Sequence, residues 1–249
     1  MSGPTGRLVG VELRLLLREP VGAVFTFAFP ILTVLVISGS FDDDDPAFGG
    51  VRPSEWYLGA YVGVVLAAIG LVMIPTHVAA HRERGVLRRL EASHLPRRAL
   101  PIAWGAVGAV VAALSIVALV ITDEVVYGVP SVERPLALVA SLVAGVASSV
   151  AVGVALGLLL PSARAAQGVG LALFFPSFLL GGAGPPRSVM PPAMRTVADL
   201  LPTTHVVRAV QGSWLSIGDP VGPDLAILAA VTALAASAAV LLTRRRAGA

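Results

Sequence analysis

Few side chains in this sequence have the type and spacing for covalent chemistry. There is no cysteine, which excludes disulfides, thiolate metal sites and cysteine nucleophiles. The four histidines are His77, His81, His94 and His205, and none has an obvious serine partner to activate. His77-x-x-x-His81 has metal-ligand spacing but no adjacent glutamate to act as the base of a zinc hydrolase. There is no lysine, so the chain cannot build a P-loop and has no ATPase site of its own. The polar groups that stand out are His205 and Arg208, in an otherwise apolar stretch that also holds Asp199 and Gln211. They suit contact with a passing solute or closure of a path better than catalysis, and no cofactor or metal site is expected in this chain.

The elements that must hold these residues are membrane spans. The chain has 249 residues, 56% of them hydrophobic and 13% charged, with mean hydropathy +0.84. The apolar residues form long uncharged blocks that a water-soluble fold could not cover. Six blocks are long enough to cross roughly 30 Å of hydrocarbon. They lie near Val21–Ser40, Trp56–Thr76, Ile102–Thr122, Leu136–Leu160, Ala166–Gly184 and Leu225–Thr243. Their interiors hold no ionisable residue, and Gln167 is their strongest polar group. The charged stretch Arg7–Glu19 before the first block lacks a signal-peptide layout, so that block reads as a retained helix.

Arginine placement orients the spans. With the N-terminus inside, the inner segments carry Arg7, Arg14, Arg18, Arg82, Arg84, Arg88, Arg89, Arg97, Arg98, Arg164 and Arg244 to Arg246. Only Arg52, Arg134, Arg187, Arg195 and Arg208 fall outside, together with most of the acids. The expected fold is all-α: a polytopic protein of the cell membrane, six spans, both termini cytoplasmic. The run Asp42–Asp45 reads as a solvated outer loop, since it lacks the glycine and spaced oxygens of a calcium loop.

Three segments outside the spans could carry mechanism. In residues 1–20, Arg7, Arg14 and Arg18 share one stripe of a helix, opposite Val9, Leu13, Leu16 and Leu17, which suits a helix lying on the inner surface. Residues 77–101 form the longest cytoplasmic loop. There Val86, Leu87 and Leu90 share one face of a short charged helix, fit to receive force from a cytoplasmic partner. Residues 185–224 read as two short outer helices, Pro192–Leu201 and Thr204–Leu215, broken at Pro202 and dipping towards the bilayer with Trp214 at the interface. Gly59-x-x-x-Gly63 and Gly153-x-x-x-Gly157 permit close helix contact.

These pieces occur in a familiar order. Arg18-Glu19-Pro20 followed by Phe29-Pro30, the loop Glu83-Arg84-Gly85-Val86-Leu87-Arg88-Arg89-Leu90-Glu91-Ala92-Ser93, and Met190-Pro191-Pro192 through Leu200-Leu201-Pro202 to His205 and Arg208 resemble the type-2 ABC transporter permeases. The resemblance is closest to their daunorubicin-resistance-like drug and lipid exporters and covers the whole chain as a single transmembrane domain. His94 stands where proline is common in that family. The resemblance implies a permease dimer, of two copies or of a copy and a paralogue, in membrane lipid and without nucleic acid. It also implies a separate ATPase subunit carrying ATP and Mg. Glu83, Arg84, Gly85, Leu87, Arg88, Arg89 and Leu90 would couple to that ATPase, and Pro202, His205 and Arg208 would form an extracellular gate. The first, second and fifth spans would border the path of an amphipathic or apolar cargo. A secondary transporter, a channel or a membrane anchor that moves nothing are the alternatives. A carrier coupled to protons or sodium would want ionisable groups at mid-membrane, where this chain has none.

Overall fold

The computed structural model describes residues 24–85, 99–218 and 220–245, which form helices joined by turns and short connections, with no strand among them. The expected interface helix over residues 1–20, with Arg7, Arg14 and Arg18, lies outside the described residues. So do Leu87, Arg88, Arg89 and Leu90 of the coupling loop.

The first apolar block begins as a π-helical turn, Val24–Ala28, and continues as α1 (Phe29–Ser38). Pro30 explains the wide turn: it has no N–H to give, and its ring presses on the carbonyl four residues back. The same device recurs in α2 (Pro53–Glu83), where the π segment Ala68–Met73 precedes Pro75. Next come α3 (Ala99–Val126), α4 (Pro135–Leu159) and α5 (Ala163–Leu180). Two short helices, α6 (Pro192–Ala198) and α7 (Pro202–Trp214), lead to α8 (Gly222–Arg245). Among the described residues, α2, α3, α4, α5 and α8 are long and apolar enough to cross a membrane, five helices in all, and α1 is apolar but shorter.

Helix α2 is the centre of the molecule. Of its most apolar stretch 89% is buried, against 6% for α8, which packs along α4 and against α7. α1, α3, α4, α5 and α7 all pack on α2. Glycines allow close crossings: a Cβ on Gly70 of α2 would lie 2.5 Å from the Ser149 carbonyl oxygen, and one on Gly153 of α4 would lie 2.8 Å from the Gly70 carbonyl oxygen. Gly157 follows one turn on, against Val78. Gly59 and Gly63 serve α7 in the same way, receiving Gln211 and Val207. Both expected glycine pairs are contact sites.

Two features depart from expectation. α2 runs past Thr76 to Glu83, so His77, His81 and Arg82 belong to the helix, not to a loop. α7 starts at Pro202, earlier than expected, and from Thr203 to Trp214 all but Arg208 is buried, between α2, α4 and α8. The expected break between the two short helices is there, and Pro202 opens the second of them, at a first-turn position where the missing N–H costs nothing.

Candidate functional site at the two ends of the central helix

At one end of the bundle, here the His205 end, a charged cluster ties the α5–α6 connection to α7 and α8. Asp199 follows α6 and accepts two parallel hydrogen bonds from Arg187, Nη1 to Oδ1 at 2.7 Å and Nη2 to Oδ2 at 2.8 Å. Arg208 of α7 donates to the same carboxylate. The Arg187 guanidinium, reinforced by Arg208 against a smaller opposing effect of burial, holds the Asp199 carboxyl down at about 2. Arg195 completes the turn by donating to the carbonyls of Met190 and Ser188.

His205 sits one turn before Arg208 and is buried. Its Nδ1 lies 2.6 Å from Asp224 Oδ1 at the start of α8, and its Nε2 lies 3.0 Å from the Asp199 carbonyl oxygen. Both ring nitrogens face acceptors, so the imidazolium makes both hydrogen bonds and the neutral ring only one. His205 and Arg208 thus converge on Asp199 from one helix face, as their spacing allows. Pro202 only starts the helix that carries them.

Further bonds hold α7 in place. Ser141 of α4 donates to the Ala209 carbonyl at 3.0 Å and lies 2.9 Å from the Ser213 hydroxyl. Gln211 donates to the Trp56 carbonyl of α2 at 3.0 Å, and the Trp214 indole N–H reaches Pro130 O at 3.2 Å. Asp123, expected in an outer loop, lies instead in the last turn of α3, wholly buried, and no described residue bonds either carboxylate oxygen.

At the opposite end, α2 stops at the sequence that suggested coupling. Glu83 is its last residue and is exposed, as is Arg84. Gly85 takes φ +67°, a left-handed cap that suits glycine, and its N–H reaches the Arg82 carbonyl at 3.1 Å. Arg82, which sequence reasoning counted only as an orienting charge, donates through Nη1 to three carbonyls at the end of α4: Gly157 at 2.7 Å, Leu158 at 3.0 Å and Leu160 at 2.8 Å. A cation is well placed there, where a helix leaves its last carbonyls unpaired. His77 and His81 are ring neighbours of Trp104 on α3, with centroids 5.6 and 4.9 Å away.

The two ends are joined by one buried helix. A family model described as ABC-2 type transporter matches residues 6–215, most of the chain. The chain belongs to the ABC-2 type transporter family. No curated protein matches it significantly. Membership makes this a multi-pass membrane protein of the transport machinery, of a kind that works with an ATPase partner. The match spans α1 to α7 and so includes the α2 terminus and all of the His205 cluster but Asp224.

Proposed function

We propose that this ABC-2 protein is the permease subunit of an ATP-driven exporter, with six spans and both termini in the cytoplasm. The observation that carries the reading is α2 itself. One helix runs from the exposed Glu83–Arg84 end to the His205 end, where Gln211 and Val207 of α7 press on its glycines. Force applied at the Arg82 end therefore reaches α7 through a single packed element. In this reading residues 77–101 face the cytoplasm, and Leu87 and Leu90 fill a pocket on a separate ATPase that holds ATP and Mg. Glu83, Arg84, Gly85, Arg88 and Arg89 line its rim. Residues 1–20, through Arg7, Arg14 and Arg18, lie on the inner surface of the plasma membrane. Two permeases form the working unit, and Pro202, His205 and Arg208 belong to the outer gate. The cargo is amphipathic or apolar, as in the daunorubicin-resistance-like branch.

The test is co-purification of the ATPase. Leu87→Asp combined with Leu90→Asp should release it, because two buried leucines supply about 3–6 kcal/mol before association costs. The membrane domain should keep its protease resistance. Retained ATPase in the double variant would sink the coupling assignment.

One observation favours a second reading, an ion-coupled carrier. The buried, unbonded carboxylate of Asp123 is the kind of group such carriers use. Export that survives Asp123→Asn would exclude it, and export lost with ATP turnover intact would support it.

A further inference from the structure

The central helix α2 is not α-helical along its whole length. An arm of 15 residues, Pro53–Ala67, and an arm of 10, Ile74–Glu83, meet through the π segment Ala68–Met73. There the bonding has slipped by one residue, and the N–H of Ile74 reaches the carbonyl of Ile69, five residues back. The next donor is missing, because Pro75 has no N–H for the Leu71 carbonyl four residues back. The Val72 carbonyl takes a side chain as well, the Thr76 hydroxyl, at 2.7 Å. The ladder between the arms is therefore weaker than the one within each arm, and such a place is where a helix bends.

The surroundings of the segment are smooth. The π segment of α1, Val24–Ala28, packs on it, as do α3, α4 and α5. Gly153 of α4 lies against the Gly70 carbonyl, and Gly70 faces the backbone of Ser149. On the α5 side, a Cβ on Gly170 would collide with the Leu71 carbonyl oxygen. At these crossings backbone meets backbone, without side chains locked as ridges in grooves, so little resists a small rotation. The arms themselves are tied to different partners. Tyr57 donates to the Gly184 carbonyl at 3.2 Å and Gln211 holds the Trp56 carbonyl, whereas Arg82 holds the end of α4.

We propose that α2 is jointed at Ala68–Met73, and that its two arms change their mutual angle there. The proposal rests on the exporter reading for the use of the movement, which brings a push on Glu83 to α7 as a change of tilt. The joint is measured without ATP, partner or transport, so the two can fail separately. Because the chain has no cysteine, Val51→Cys and Arg84→Cys place one spin label beyond each end of α2 in the full-length protein. In phosphatidylcholine nanodiscs, pulsed dipolar spectroscopy should give a broad distance distribution. Pro75→Ala, which supplies the missing donor, should narrow it, and Gly168→Ala, with nothing within 4 Å, should leave it broad. Hydrogen exchange reads the joint in the native chain: the amides of residues 68–73 should exchange faster than those of either arm, although they lie near mid-helix. In Pro75→Ala they should slow roughly fivefold, the worth of one net hydrogen bond. Native central amides no faster than those of the arms would overturn the proposal, as would a distance distribution that Pro75→Ala does not narrow.

Discussion

Asp199 draws its acidity from two guanidinia, which fixes how the cluster answers pH. Its carboxyl titrates at about 2 in the fold against 3.8 unperturbed. A depressed carboxyl contributes stability that is full above the unfolded value and is lost as pH falls through the folded one. The connection between Arg187 and Arg208 should therefore keep the Asp199 contribution to its hydrogen-exchange protection from pH 8 to 5 and lose it only between about 4 and 2. Asp199→Asn should loosen it at every pH. At the other end, Arg82→Ala removes three charge-assisted bonds to α4 and should lower stability by roughly 2–4 kcal/mol, with Arg82→Lys between it and the native chain. The melting temperature of the purified protein reads this directly. His205 and Arg208 stood out in the sequence because they are polar in an apolar stretch, and the structure brings both to Asp199. Arg187 and Arg82 were not: their partners are an aspartate twelve residues away and carbonyls 75 to 78 residues away, and pairing at such range leaves no local pattern.

The helices were easier to read than their ends. Long uncharged blocks gave five spans and the place of α1, because apolar length is a property of the sequence itself. Their limits moved where a helix could continue under the cover of neighbours: α2 gained the His77–Glu83 turns against α4 and α5, and α3 took in Asp123. α7 was legible as a helix, but not its partners: Gln211 bonds to a carbonyl of α2 and Ser213 meets a hydroxyl of α4, both far away in sequence. Glycine spacing did forecast contact, and the crossing of α2 and α4 can be tested. Gly70→Ala sets a Cβ against backbone at Ser149, which cannot rotate away, and should cost roughly 1–3 kcal/mol. Gly168→Ala, with nothing within 4 Å, should be neutral or stabilise by up to about 1 kcal/mol through helix propensity. Thermal unfolding of the two variants separates close packing from helix preference.

For the whole molecule, the exporter proposal makes the buried central helix with its exposed end the element that transmits force from the ATPase. The cysteine-free sequence makes the contact testable in native membranes. Leu87→Cys would be the sole thiol in the chain, and a short thiol-directed photo-crosslinker attached there reports whatever lies against the loop. The account predicts a single protein adduct containing a P-loop ATPase, abolished when Leu90→Asp is added. Crosslinking to lipid alone, or an ATPase adduct undiminished by Leu90→Asp, would contradict it.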